Sequence, residues 1–171
     1  WETPEDGSES DRDLVKASVE NTWQKETALD FLGWGECVDE TSGIRIRIAD
    51  DGPHVKGLGR YIDGMTDGMV LNFTYLNWGS SCASSEEMRR SCTSSIAVHE
   101  FGHAIGLAHE HNRWDTPGEC LKPPQGTDGD NMLTEYDPNS VMNYCNSRYN
   151  NDGKLSPLDI QGIQLIYGAP Q

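Results

Sequence analysis

Hydrophobic positions divide the chain into stretches of two periods. Over "DLVKASVENTWQKETALDFLGW", Leu14, Val15, Val19, Trp23, Ala28, Leu29 and Leu32 recur at helical spacing. This predicts one amphipathic helix packed on a sheet. "GIRIRIAD" alternates Ile44, Ile46 and Ile48 with Arg45 and Arg47, the period-two pattern of a strand with one buried face. "GLGRYI" and "MVLNFTYL" predict two further strands, the second more apolar and therefore more central. "DGMTDG" is turn sequence, and "WGSSCASSEEMRRSC" reads as a polar loop with one short helical turn. Helical period resumes in "TSSIAVHEFGHAIGLAHE", with Thr93 or Ser94 as N-cap. Beyond Arg113 the chain is rich in Gly, Pro, Asn and Asp until "SPLDIQGIQLIYG". That closing helix has Ser156 as cap, Pro157 at its first position and Gly168 past its end. Strands early with helices flanking them predict an α+β layered fold, a single domain over residues 1–171.

Charge narrows the function classes. Asp and Glu total 28 against 13 Lys and Arg, a net of −15 with a pI near 4.5. Phosphates need Lys and Arg to displace their counterions, so nucleic acid and anionic membrane surfaces are disfavoured as partners. No apolar run reaches the length of a membrane span. The chain begins at Trp1 and "WETPEDGSESDRD" is no signal peptide, so a processed, secreted product is expected. Five cysteines (Cys37, Cys82, Cys92, Cys120 and Cys145), none in a C-x-x-C pair, argue for disulfides and export over zinc thiolates. Two bridges among five cysteines allow fifteen arrangements. Cys82–Cys92 would close a short loop, Cys120–Cys145 would tie the two segments after the histidine cluster, and Cys37 would be left over.

The histidines carry the chemistry. "HEFGHAIGLAHEH" holds four of the five in the chain. His99 and His103 are four residues apart, so on a helix their rings project from one face and can share an ion. Gly106 lets the helix stop and the backbone turn, which could bring His109 round as a third ligand. Three protein ligands leave a fourth position for water, the arrangement of one catalytic Zn2+. Glu100, beside the first ligand, can take a proton from that water as general base and return it to a leaving amine. A bare H-E-x-x-H arises by chance in unrelated helices, whereas the full H-E-x-x-H-x-x-G-x-x-H is far more specific.

At these residues the chain resembles the metzincin metallopeptidases. "HEFGHAIGLAH" is similar to their zinc signature, "SVMNY" to their Met-turn, and "LSPLDIQGIQLIYG" to their final helix. The resemblance runs from about Asp13 to Gly168. It implies a metzincin-like catalytic domain: a twisted mixed sheet with an antiparallel edge strand, the zinc helix, the Met-turn and a C-terminal helix. It implies a zinc endopeptidase, with Met142 as the structural floor of the site and Tyr144 as the residue that stabilises the oxyanion. "HEHNRWD" resembles astacins, which implies that Glu110 holds the Trp1 amino group. Two features depart from the pattern. "WETPEDGSES" is a poor first strand, and the cysteine arrangement is not that of astacins, pointing to a bacterial-type relative between the matrixin and astacin branches.

The edge strand that lines the cleft in this family, and binds an extended peptide by strand addition, would fall on Gly57, Leu58, Gly59, Arg60, Tyr61 and Ile62. His111 reads as solvent-facing or adjacent to the ligands rather than a fourth ligand, and His54 as a loop residue. Asn72 in "NFT" is a glycan sequon on an inner strand, which argues against its use. "TDGDNMLTEYD" and "NNDGK" offer oxygens for calcium without EF-hand spacing, so calcium is unsupported. The expected partners are a protein or peptide substrate and a pro-segment or inhibitor, on a monomeric enzyme made as a zymogen. Two rival functions use the same residues: a zinc amidase acting on cell-wall peptides, and a metzincin-fold binding module without turnover.

Overall fold

A computed structural model describes all 171 residues and contains one mixed sheet of three short strands, β1 (Ile46–Ile48), β2 (His54–Val55) and β3 (Met69–Leu71), in the order β1-β3-β2. β1 runs parallel to β3, and β2 lies antiparallel on its other side. The mixed sheet with an antiparallel edge is the one expected. In β1, Ile46 and Ile48 are buried and Arg47 is exposed, while all three residues of β3 are buried, as a central strand requires.

The edge itself falls elsewhere than predicted. It is formed by His54–Val55, which places His54 on a strand, whereas Gly59–Ile62 within "GLGRYI" is a 3-10 turn. Gly59 adopts φ +53, and a Cβ there would lie 3.4 Å from the Gly106 Cα, so the chain bends sharply where a strand would run straight. β3 stops at Leu71 because the buried Asn72 side chain accepts the amides of Thr74 and Tyr75 at 2.9 and 2.8 Å and closes a turn. The Asn72 amide nitrogen donates to Asp50 and Asp51, so this sequon is no glycan acceptor. The first residues run beside β1 without becoming a strand. Glu2 donates its amide to the Ile46 carbonyl at 2.7 Å, and the Thr3 hydroxyl takes the place of backbone by bonding both polar groups of Ile48.

Three helices complete the fold. α1 (Glu9–Val19) starts earlier than predicted, with the Ser8 hydroxyl accepting the Asp11 amide, and widens into a π-turn over Glu20–Gln24. It ends before Ala28, Leu29 and Leu32, because the Thr27 hydroxyl donates to the Trp23 carbonyl and accepts the Leu29 amide. Val15, Val19 and Trp23 are fully buried, and the Trp23 indole donates to the Val98 carbonyl of the next helix at 2.8 Å. That helix, α2 (Glu86–Ala104), is capped by Ser85, well before Thr93 or Ser94. Glu86 and Glu87 in its first turn complement the helix dipole, and the Cys82–Cys92 disulfide pins the preceding turn to it. α2 packs against α1 and against β2 and β3, which makes it the centre of the core.

From Ile105 to Ser156 the chain has only 3-10 turns, and it is held by specific ties. The Cys120–Cys145 disulfide is one, and both bridges are the expected ones, with Cys37 free. α3 (Pro157–Tyr167) is the other. Ser156 and Asp159 form a capping box, Gly168 ends the helix at φ +79, and Tyr167 and Gln164 donate to the carbonyls of Ile105 and Glu26. No helix is long and apolar enough to cross a membrane.

Candidate active site

The second half of α2 is buried on every side, so the ligand pair on it is part of the core rather than a surface feature. His99 and His103 share one face as the spacing requires. Past Ala104 the helix closes with the Gly106 amide on the His103 carbonyl and the Leu107 amide on the Gly102 carbonyl, both at 2.9 Å. This Schellman pattern needs a left-handed residue, supplied by Gly106 at φ +106. The reversal carries His109 back to the pair.

The three rings meet at their tips. His109 Nε2 lies 3.2 Å from both His99 Nε2 and His103 Nε2. Each ring donates its other nitrogen's proton to a backbone carbonyl: His99 Nδ1 to Val141 at 2.8 Å, His103 Nδ1 to Leu107 at 2.7 Å, His109 Nδ1 to Gln125 at 2.8 Å. A carbonyl can only accept, so the proton of each neutral imidazole sits on Nδ1 and the Nε2 lone pair is bare. Three bare lone pairs pointing at one another repel unless a cation lies between them. Tetrahedral ligands around zinc stand about 3.3–3.4 Å apart given Zn–N lengths near 2.0–2.1 Å, close to the spacing here. The residues therefore fit a zinc ion, and the three donors form the metal-binding cluster of the structure. Burial also pushes all three imidazoles below their usual pKa, His103 to about 3, which keeps them neutral and available as ligands.

Glu100 is 4% exposed and its Oε2 has no hydrogen-bond partner. Burial alone raises its pKa to about 8, so the carboxylate is a stronger base than one in water. An ion among the imidazoles would pull that value back down. Met142 is 2% exposed and packs against α2 at Gly102, where a Cβ would sit 2.5 Å from its Sδ. The glycine of "HEFGH" is thus packed closely against the Met-turn, a role the sequence reading missed. Tyr144 stacks on His99, with ring centroids 5.3 Å apart and planes 13° apart. Burial raises its phenol pKa, so the group stays protonated.

Asp159 was also missed. Its carboxylate accepts the Ser140 hydroxyl at 2.6 Å and the Val141 amide at 2.9 Å, fixing the Met-turn whose Val141 carbonyl orients His99. The visible signal was "SPLD", a capping box with an acid at the third position. Gln125 carried no signal, because it contributes only a carbonyl.

Other expectations change. Glu110 does not meet the Trp1 amino nitrogen, which lies 2.6 Å from the Gly35 carbonyl; Glu110 accepts the Asp137 amide and pairs with Arg113 at 3.4 Å. His111 takes the second of the two places expected of it, adjacent to the ligands: it is 2% exposed, with the rings of His109 and Tyr144 each 5.0 Å away. Of Gly57–Ile62, the structure brings Leu58 and Tyr61 to a cavity of about 900 Å³ that flanks the cluster on its His109 and Met142 side.

Comparisons with known proteins bear on the family of the zinc helix and on the fold. The family model for Astacin, a peptidase family, matches residues 83–118, from just before the Ser85 cap to beyond the third histidine. No sequence among the curated proteins matches the chain. Among solved structures, myroilysin superposes with a TM-score of 0.64 at 19% identity, over 96% of this chain and 90% of that one. High choriolytic enzyme 1, a hatching enzyme zinc-protease from Oryzias latipes (Medaka fish), superposes with a TM-score of 0.63 at 20% identity, over 95% of this chain and 85% of that one. At these identities the likeness is one of fold.

Proposed function

We propose that this chain, a zinc metallopeptidase of the metzincin type with astacin-like likeness at its zinc helix, is a secreted endopeptidase that cleaves protein or peptide substrates with Glu100 as general base. The observation that carries this is the convergence of three bare Nε2 lone pairs beside an unpartnered, buried carboxylate. When bound by His99, His103 and His109, the ion supplies Lewis-acid polarisation of the scissile carbonyl and acidification of water. The remaining work falls to side chains. Glu100 accepts the proton of the attacking water and delivers it to the departing amine. The Tyr144 phenol, kept protonated by burial, donates a hydrogen bond to the developing oxyanion. Leu58 and Tyr61, the residues of the Gly57–Ile62 bend that line the flanking cavity, contact substrate side chains there.

Two disulfides favour export to an oxidising compartment, and an exported protease of this kind calls for a pro-segment or inhibitor that holds it inactive in the cell. The enzyme acts as a monomer.

The test is a peptide-library digest by native protein, by chelated protein and by Glu100→Ala. Native protein should cleave within peptide chains. Chelation should abolish cleavage and zinc should restore it, while Glu100→Ala should retain stoichiometric zinc yet lose about 10²–10⁴ in kcat. Cleavage that persists in both treated samples would reject the mechanism, and absence of cleavage by native protein would favour a binding module.

A further inference from the structure

We infer that the cavity flanking His109 and Met142 receives the side chain of a substrate Arg or Lys, and that Asp128 and Asp130 select it. The inference rests on the reading of the chain as an endopeptidase. The lining of this cavity, about 900 Å³ in volume, combines two unlike sets of residues. Leu58, Leu107, Leu158 and Ile166 offer apolar surface, whereas the segment Thr127–Thr134 lines it throughout and brings the carboxylates of Asp128 and Asp130. The other carboxylates of the lining are engaged: Glu110 by the Asp137 amide and Arg113, Asp137 by the Asn139 amide and the Ser156 hydroxyl, Asp159 by the Ser140 hydroxyl and two amides. Asp128 accepts one bond from a neutral group, the Asn112 amide at 3.0 Å, and Asp130 accepts none. The one cation of the lining, Arg113, is itself taken up by Asp115, with Nε and Nη2 each 2.8 Å from a carboxylate oxygen. Two carboxylates therefore remain at the cavity with no side-chain cation to meet them.

A cavity of this kind suits a long basic side chain on both counts. Arg and Lys lay their methylene stems along apolar surface and keep the charged head at the wet end. Trp114 adds to the fit, since it lines the cavity while 85% exposed, and an indole face attracts a cation. Arg60, which lies over the Tyr61 ring at 5.5 Å, is not in the lining. An Asp or Glu side chain in the same place would meet two carboxylates of its own sign. The selecting groups are also held before substrate arrives. Asn112 bonds the Gln125 carbonyl as well as Asp128, Arg113 donates to the Thr134 carbonyl at 3.0 Å, and the Cys120–Cys145 disulfide closes the loop that contains the whole segment. A charge held in place loses less entropy on pairing than a mobile one.

The test uses the full-length, zinc-loaded enzyme and a peptide that it cleaves, with the cut located by mass spectrometry. Each residue flanking the cut is made Arg, citrulline or Glu in turn; citrulline has nearly the shape of Arg without its charge. At one flanking position kcat/KM should be about three- to tenfold higher for Arg than for citrulline, the range of one or two exposed ion pairs, and lowest for Glu. The Arg-to-citrulline ratio should fall toward one in Asp128→Asn/Asp130→Asn, and Glu should become the preferred residue in Asp128→Lys/Asp130→Lys. Because each ratio is taken within one protein, a partial folding defect cancels from it. Glu5→Gln/Asp6→Asn removes two carboxylates that do not line the cavity and should keep the native ratio, which separates the pocket from the net charge of −15. A second readout needs no turnover. Nα-acetyl-arginine amide at millimolar concentration should displace the backbone amide resonances of Thr127–Thr134 in the native protein, and Nα-acetyl-citrulline amide should not. Equal cleavage of the Arg and citrulline peptides, a ratio unmoved by Asp128→Asn/Asp130→Asn, or one lowered equally by Glu5→Gln/Asp6→Asn would overturn the pocket. If native protein cleaves no peptide, it is the endopeptidase reading that fails, and the two amides still decide whether the cavity takes a cation.

Discussion

Gly102 has no chemistry of its own, yet its missing Cβ decides how close the Met-turn can come to the ligands. A methyl group there would stand 2.5 Å from Met142 Sδ and 3.2 Å from Trp23 Cζ2. Met142 is enclosed, so its Sδ has little room to move aside, and Trp23 is held by its bond to the Val98 carbonyl. Gly102→Ala is therefore an overpacking substitution, expected to lose about 1–3 kcal/mol of stability although alanine favours helices. Thermal melting of the zinc-free variant checks this, and an unchanged Tm would show that the floor of the site is softer than its packing indicates. Neighbouring Glu100 shows the opposite kind of residue. Its Oε2 is buried without a partner, an arrangement unfavourable to folding and in keeping with the general-base role proposed for it.

At the level of elements, the zinc ligands are oriented by backbone that comes from three places: the turn after α2, the loop at Gln125 and the Met-turn. Each is anchored by a side chain from elsewhere: Tyr167 of α3 on the Ile105 carbonyl, Asn112 on both backbone groups of Gln125, and, on the Met-turn, Asp159 in the first turn of α3. Asp159→Ala removes the acceptor for the Ser140 hydroxyl and for the amides of Val141 and Ser156. The expected outcome is a loss of about 2–4 kcal/mol in stability, together with zinc affinity about 10–100-fold weaker because His99 loses its fixed orientation. Competition with a chelator of known affinity measures the second effect, and unaltered affinity would mean that His99 is held by α2 alone. This pattern also explains what was legible in the sequence. His99, Glu100, His103, Gly106 and His109 lie on one helix and its terminating turn, where spacing translates directly into geometry. The carbonyls of Val141 and Gln125 come from distant irregular chain, and a carbonyl leaves no trace in residue identity. "GLGRYI" misled for a related reason. Its alternating side chains mimic a strand, but the bend is imposed by contact between Gly59 and the Gly106 turn, which is remote in sequence and invisible locally.

Over the whole molecule, the net charge of −15 and one buried pairing respond to acid in opposite directions. Protonating surface carboxylates relieves self-repulsion and favours the compact state. The Glu2–Arg45 pair behaves otherwise. Arg45 Nε and Nη2 meet the two Glu2 oxygens at 2.6 and 3.0 Å, and the Asp67 amide donates to the same carboxylate, so one side chain joins the opening segment, β1 and the turn before β3. The Arg45 hydrogen bond holds the Glu2 pKa below its ordinary value. A carboxyl whose pKa is lower folded than unfolded binds fewer protons in the native state. Its contribution is therefore full above the unfolded value, about 4.3 for Glu, and is lost as pH falls through the lower, folded value. Glu2→Gln should thus melt below the native protein at neutral pH, and the gap between the two should narrow as the pH drops through the carboxylate range. Comparing the pair at each pH cancels the general relief of repulsion, which both proteins share apart from one charge. Melting curves that stay parallel down to acid would show that the Glu2 pairing adds nothing to how the opening segment is held against the sheet.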